Sequence, residues 1–166
     1  KNIKAVLPEN TADNEAVINF STESVSIVDK SYTAEQFCAR MAGLFAGTPI
    51  TESATYAVLP EATDCTRMSK KEMDSAIDAG KLILFYEDGE VRVARAVNSF
   101  TPNTDEKGDQ YKKINLVDIM DTIKSDLRST IRNEWIGKKA NTYDNKCLLI
   151  SAIQGYMDDL VLQNVL

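Results

Sequence analysis

Not one histidine occurs among the 166 residues. Its absence removes the side chain that most often acts as general base near neutral pH, the commonest metal ligand, and every Ser-His or Cys-His nucleophile pair. Cysteine is scarce: Cys38, Cys65 and Cys147 are odd in number, far apart and form no CxxC pair. Neither a disulfide framework nor a zinc site is signalled, and all three thiols are expected to be reduced. Cys38 and Cys147 sit among apolar neighbours in helical patterns, which places both in the expected core. The glycines at positions 43, 47, 80, 89, 108, 137 and 155 are scattered and complete no phosphate-cradling loop. No run approaches the roughly 18 apolar residues of a membrane span. The opening KNIKAVLPEN lacks the apolar stretch of a signal peptide, so the chain is expected to be soluble and made in the cytosol. Basic side chains fall short of acidic ones, 19 against 25, giving a formal charge of −6 and a pI near 4.8. A surface of that sign does not neutralise phosphates. Nucleic acid and membrane are not expected partners, and no cofactor or metal is implied.

What is present is the material of a layered fold. With 43% hydrophobic residues the chain can build a core without staples, as one domain or two small lobes. Ile3–Leu7, Ala16–Phe20 and Ser24–Val28 read as short strands. Thr33 and Gln36 form a capping box, with Tyr32 placed to staple onto Phe37; the helix that follows carries Phe37, Met41, Leu44 and Phe45 at helical spacing and should stop at Gly47 before Pro49. The stretch Ala54–Leu59 looks extended. Ser69 and Glu72 form a second capping box, flanked by Met68 and Met73, for a short helix ending at Gly80. In KLILFYEDGEVRVARAV, Asp88-Gly89 supplies a two-residue hairpin turn. That turn would pair Tyr86 with Val91 and Leu84 with Val93 on one face, Phe85 with Arg92 on the other, and Glu87 with Glu90 near the tip.

Asn98–Lys112 is polar, holds Pro102 and Gly108, and is expected to be a mobile loop. From Leu116 onward, Ile119, Met120, Ile123, Leu127, Ile131 and Trp135 trace one long amphipathic helix ended by Gly137. A second long helix from Asp144, apolar at Leu148, Leu149, Ala152, Ile153, Tyr156, Met157 and Leu160, is expected to be largely buried. The fold class is α/β in the α+β sense, a mixed β-sheet with packed helices. A composition shift at Cys65–Ser69 marks the expected boundary between lobes.

Three carboxylate groupings merit a test as paired acid and base: Asp118 with Asp121, Asp158 with Asp159, and Glu87-Asp88-Glu90. Helical spacing turns Asp118 and Asp121 to an exposed face beside Lys124, and adjacent Asp158 and Asp159 diverge, so solvated surface is the expected role. Asp105–Asp109 lacks the alternating ligands of a calcium loop. Lys138 and Lys139 complement a helix C-terminus.

Three stretches, in order, resemble the contractile tail sheath family. SYTAEQFCARMAGLFAGTPITESATY carries its AGL-A-GTP pattern through Ala42, Gly43, Leu44, Ala46, Gly47, Thr48 and Pro49, followed by Ser53, Thr55 and Tyr56. GKLILFYEDGEVRVARAVNSF resembles its hairpin. The run from KINLVDIM to GYMDDL resembles its paired C-terminal helices, with Ile136, Gly137, Lys138 and Asn141 in the joining loop. The likeness is to sheaths of phages or phage-tail-like bacteriocins of Gram-positive bacteria. It implies a core fragment, flanked in the family by further terminal regions: residues 1–68 belonging to a middle domain and 69–166 to a C-terminal domain, packed as one unit.

The implied function is a structural subunit that stacks as rings around an inner tube and contracts. Its partners would be other sheath subunits and the inner tail tube protein, the fragment itself being monomeric. Assembly in the host cytoplasm and residence in a virion tail or a released particle follow. The middle domain's subtilisin-like shape implies no protease in a chain without histidine. Arg92 and Arg95 on the hairpin, with Asp118 and Asp121 on the helix, are the expected subunit contacts. A generic protein-interaction module with an exposed hairpin edge and a carboxylate-dependent hydrolase are the competing readings.

Overall fold

The computed structural model describes residues 3–10, 12–102, 105 and 107–166. It divides into two compact units, one running to Val117 and the other covering Asp118–Leu166.

The first unit holds all the strands among the described residues. β1 (Ala5–Pro8), β2 (Val17–Phe20) and β6 (Lys81–Leu82) form a parallel sheet in the order β1-β2-β6. Central β2 is buried on both faces, with Ile18, Asn19 and Phe20 all nearly inaccessible, as a parallel strand demands. Asn19 is satisfied there because its Oδ1 accepts from the Asn10 amide at 2.8 Å and the Ser21 hydroxyl at 3.1 Å. A second sheet, antiparallel, runs β4-β3-β5, with β3 at Ser24–Ile27, β4 at Lys30–Thr33 and β5 at Asp64–Cys65.

Strand β4 was not expected. Its turn places Val28 at φ +52°, a left-handed conformation that a β-branched residue rarely adopts, so no turn residue announced it. The hairpin β7 (Leu84–Glu87) and β8 (Glu90–Val93) has the expected register throughout, Leu84 opposite Val93 through Glu87 opposite Glu90. Asp88 and Gly89, at φ +51° and +90°, make the turn.

Both capping boxes were legible. α1 (Ala34–Gly47) follows Thr33, whose amide donates to Gln36 Oε1 at 3.1 Å. α2 (Lys70–Asp78) starts at Ser69: its amide donates to Glu72 Oε2 at 2.7 Å, and Ser69 Oγ accepts from the Glu72 amide at 3.4 Å. These bonds hold the Glu72 carboxyl below its ordinary range. α1 buries Phe37, Cys38 and Met41, with Leu44 and Phe45 packed at the margin. The core joins them to Ile18, Phe20, Leu59, Leu82, Leu84, Val91 and Val93.

Two expectations fail in this unit. Ala54–Leu59 forms no regular strand: Tyr56 turns at φ +63°, and residues 56–59 lie along the outer edge of β8. There the Tyr56 and Leu59 amides donate to the Val93 and Val91 carbonyls at 2.8 and 2.9 Å. That edge of the hairpin is covered, against the exposed edge of the interaction-module reading.

Nor is the described part of 98–112 a loose loop. Asn98 is fully buried, Ser99 and Phe100 nearly so, and residues 109–112 wind into a 3₁₀ turn. Polar side chains hold it along with the buried Phe100: Ser99 Oγ exchanges hydrogen bonds with the Asn14 backbone, and Asp13 Oδ1 accepts from the Thr101 amide and hydroxyl. Lys107 Nζ pairs with Glu15 at 2.6 Å and holds that carboxyl below its usual range. The expectation at residues 103, 104 and 106 lies outside the described residues.

The composition shift at residues 65–69 does not divide the units. β5 before it and β6 after it both pair with strands that precede it, β3 and β2, inside one compact unit.

α3 (Ile114–Thr130) leads into a π-helical turn, Ile131–Trp135, and the chain reverses at Gly137, φ +74°. α4 (Tyr143–Leu162) is capped by Thr142, whose Oγ1 accepts from the Asn145 amide. Tyr156 of α4 donates to Asp126 of α3 at 2.9 Å; burial and that carboxylate push the phenol pKa up. The expected burial of α4 is not observed. None of its residues is buried, and Leu148, Ile150, Val161 and Leu162 are more than half exposed. Leu149, Ile153, Tyr156, Met157 and Leu160 form only a half-buried seam.

Candidate functional site

The hairpin positions both arginines singled out by the sequence. Arg92 lies opposite Phe85, and its guanidinium reaches back to Glu90 at 2.6 Å. Its Nε is buried without a hydrogen-bond partner among the described residues. Arg95, just past β8, is exposed and lines a cleft of about 420 Å³ with Ser53, Thr55, Lys113, Asn115 and Leu116. The cleft carries two cations and no carboxylate, and neither Arg95 nor Lys113 forms an ion pair among the described residues. Its floor is set by backbone pairing: Val97 bridges Lys113, the Ile114 amide donates to Ala96, and the Ala96 amide donates to Thr55 Oγ1 at 3.1 Å.

Asp118 and Asp121 stand one turn apart on α3, in the second unit, and are half-buried rather than exposed. Asp158 and Asp159 are exposed, as are Glu87, Asp88 and Glu90 at the hairpin tip. Among the described residues no group of three His, Cys, Asp or Glu side chains could hold a metal ion. No described helix is long and apolar enough to cross a membrane.

Lys113 was missed at the sequence level, although a signal existed. The Lys112-Lys113 doublet just before α3 is visible in the sequence; Lys112 pairs with Asp109 at 2.9 Å, and Lys113 stands next to the helix start, where the dipole disfavours a cation.

The thiols differ sharply. Burial pushes Cys65 up to about 11, with Asp64 adding to the effect, and burial raises Cys38 as well. Cys147, expected in the core, is exposed on α4. Because the thiolate is the reactive form, a disulfide reagent at neutral pH should titrate one fast thiol in the native chain and all three after denaturation. Cys147→Ser should abolish the fast phase; a fast phase surviving that change would contradict the exposure pattern.

Residues 1–99 match the phage tail sheath protein central domain, and residues 106–166 match the phage tail sheath C-terminal domain. The chain belongs to the phage tail sheath family. It is 44% identical over 163 residues to the tail sheath protein of Clostridium phage phiCD119, covering 98% of this chain and 46% of that protein. The crystal structure of a sheath tail protein from Desulfitobacterium hafniense superposes with a TM-score of 0.87 at 30% identity, over 95% of this chain and 38% of that one. The contracted helical sheath of the anti-feeding prophage shares the fold, with a TM-score of 0.66 at 15% identity over 95% of this chain and 46% of that one. The chain thus spans less than half the length of these sheath proteins.

The two sheath domain matches meet between residues 99 and 106, well beyond the composition shift at 65–69. The sheath hairpin, with Arg92 and Arg95, therefore lies in the central-domain match, and Asp118 and Asp121 lie in the C-terminal one.

Proposed function

We propose that this chain is the structural core of a contractile sheath subunit, which assembles as stacked rings around an inner tube and contracts to drive that tube through a cell envelope. The observation that carries this reading is the pair of consecutive sheath domain matches across residues 1–99 and 106–166. Its partners are other sheath subunits and the inner tail tube protein. It assembles in the bacterial cytoplasm and resides in a virion tail or a released tail-like particle. By itself the chain is monomeric, since a single contact between exposed charges is too weak to hold a lattice, and it assembles only as part of a full-length sheath protein. Contraction, on this reading, is rigid-body rearrangement of such cores.

The subunit contacts we assign are Arg92 and Arg95 on the first unit and Asp118 and Asp121 on the second. The role is mechanical rather than catalytic: a screen for hydrolase activity should be flat and unchanged by Asp118→Asn with Asp121→Asn. Negative-stain electron microscopy of two samples tests the whole reading, this chain alone and a full-length sheath protein containing it. Tubes or rings from the longer protein support it, and dispersed particles from both samples would sink it.

A further inference from the structure

Two features of the first unit run against local preference and are only partly compensated within it. At the hairpin tip Glu87 stands directly opposite Glu90, with Asp88 between them in the turn, so three exposed carboxylates crowd four residues. Like charges facing across a strand pair are destabilising, and among the described residues only Glu90 of the three has an ion-pair partner, Arg92. In the cleft the situation is inverted. Arg95 and Lys113 face a concavity lined otherwise by Ser53, Thr55, Ala96, Asn115 and Leu116. Both also border an adjoining cleft with Asp78 and Asp109, but Asp109 pairs with Lys112 and neither Arg95 nor Lys113 forms an ion pair among the described residues, while Lys113 precedes α3 where the dipole opposes a cation. Residues that violate local preference in this paired way are expected where function supplies the missing partner.

We propose that the Arg95–Lys113 cleft receives the acidic hairpin tip, Glu87-Asp88-Gly89-Glu90, of a second copy of this chain. The hairpin's geometry forbids the contact within one molecule. Five residues of extended chain separate Glu90 from Arg95, on the order of 15 Å, and tip and cleft lie toward opposite ends of the same hairpin. Between molecules the same geometry is productive. Knob and hole are different surfaces, so the contact is heterologous and repeats head to tail, generating rings or helices rather than a closed twofold dimer. The turn is fixed in shape by the left-handed Asp88 and Gly89, which limits the ordering cost of docking. A cleft of about 420 Å³ is the size that encloses a few side chains, not a whole strand. The contact should weaken with added salt, since both partners are solvent-exposed charges.

This inference rests on the sheath reading and names the pieces that meet. The test uses full-length protein with Glu87→Lys, with Lys113→Glu, and with both. Each is followed by the yield of pelleted tubes, by sedimentation velocity and by thermal melting. Each single reversal should lower tube yield at least tenfold, and the double reversal should bring it back to within twofold of the parent. Glu87→Lys should melt no lower than the parent, because it replaces a like-charge pair with an opposite-charge one opposite Glu90; a merely structural role for Glu87 would not combine intact melting with lost assembly. Single reversals that assemble like the parent, or a double reversal that recovers nothing, would overturn the pairing while leaving the sheath reading in place. If the parent forms no tubes yet self-associates, and the reversals abolish and restore that association, the contact stands and the sheath reading falls. No self-association by any variant removes both.

Discussion

Phe20→Ala lowers stability by about 3–5 kcal/mol, the range for emptying a large aromatic site in a packed core. Phe20 is the last residue of β2 and is completely inaccessible. In register it stands between Pro8 of β1 and Leu82 of β6, and its ring meets Phe37 of α1 at a centroid distance of 6.0 Å. One side chain therefore ties all three strands of the parallel sheet to the helix beside it. The strands flanking it are four and two residues long, too short to hold their order by hydrogen bonds alone. A domain is stable by only about 5–15 kcal/mol, so the loss is a large share of the total. Urea denaturation reads it as a lower midpoint at unchanged slope. Tyr143→Ala on α4, where the ring is 80% exposed, provides the contrast and should stay within about 0.5 kcal/mol. Equal effects at the two positions would mean that the core is not centred on Phe20.

The elements legible from the chain were those whose determinants are local. Asp88-Gly89 fixes a turn geometry, and with it every pair in β7–β8. Thr33 with Gln36 and Ser69 with Glu72 set the starts of α1 and α2 through bonds within one turn. What escaped was set by distant partners. β5 is two residues long and exists only because β3 offers a free edge, and β6, though it opens the strand-like run from Lys81, leaves the hairpin to pair with β2. No window of sequence around Asp64 or Lys81 names the partner strand. For the same reason the composition shift at Cys65–Ser69 misled: chemistry changed there, while pairing continued across it.

The candidate surfaces followed the same division. Arg95 was visible as an exposed basic residue at the end of a predictable hairpin. Its companion Lys113 is 18 positions on and arrives in the cleft through the Val97–Lys113 bridge, which hydrophobic periodicity does not encode. The apolar pattern of α4 was read as burial, but such a pattern specifies only that a face be covered, not that the cover belong to the same chain. Asp118 and Asp121 failed in the opposite sense. Spacing on one helix turned them outward, and packing of that helix leaves them half-buried.

Asn98→Leu, nearly the same volume, should cost about 2–4 kcal/mol although it adds apolar surface to a buried site. Asn98 is fully buried, and its side-chain amide satisfies two backbone groups, one buried and one partly buried: Oδ1 accepts from the Phe100 amide at 3.0 Å, and Nδ2 donates to the Tyr111 carbonyl at 2.7 Å. Leucine would orphan both, and a buried unsatisfied group costs roughly 1–3 kcal/mol. Composition alone marked 98–112 as too polar to be held, because the count of apolar residues ignores that a single buried amide can clamp both ends of a segment. Hydrogen exchange separates this view from simple core disruption. The Phe100 amide and residues 109–112 should lose protection first, while β7 and β8 keep theirs until global unfolding. Unchanged protection at Phe100 with full stability would refute the clamp. The consequence reaches the cleft. The Asn98 backbone N–H, which leucine keeps, donates to the Lys112 carbonyl next to the bridge that presents Lys113, so loosening the segment around it should weaken assembly as well as folding. Asn98→Leu in full-length protein is accordingly expected to lower tube yield at temperatures where the hairpin remains fully folded.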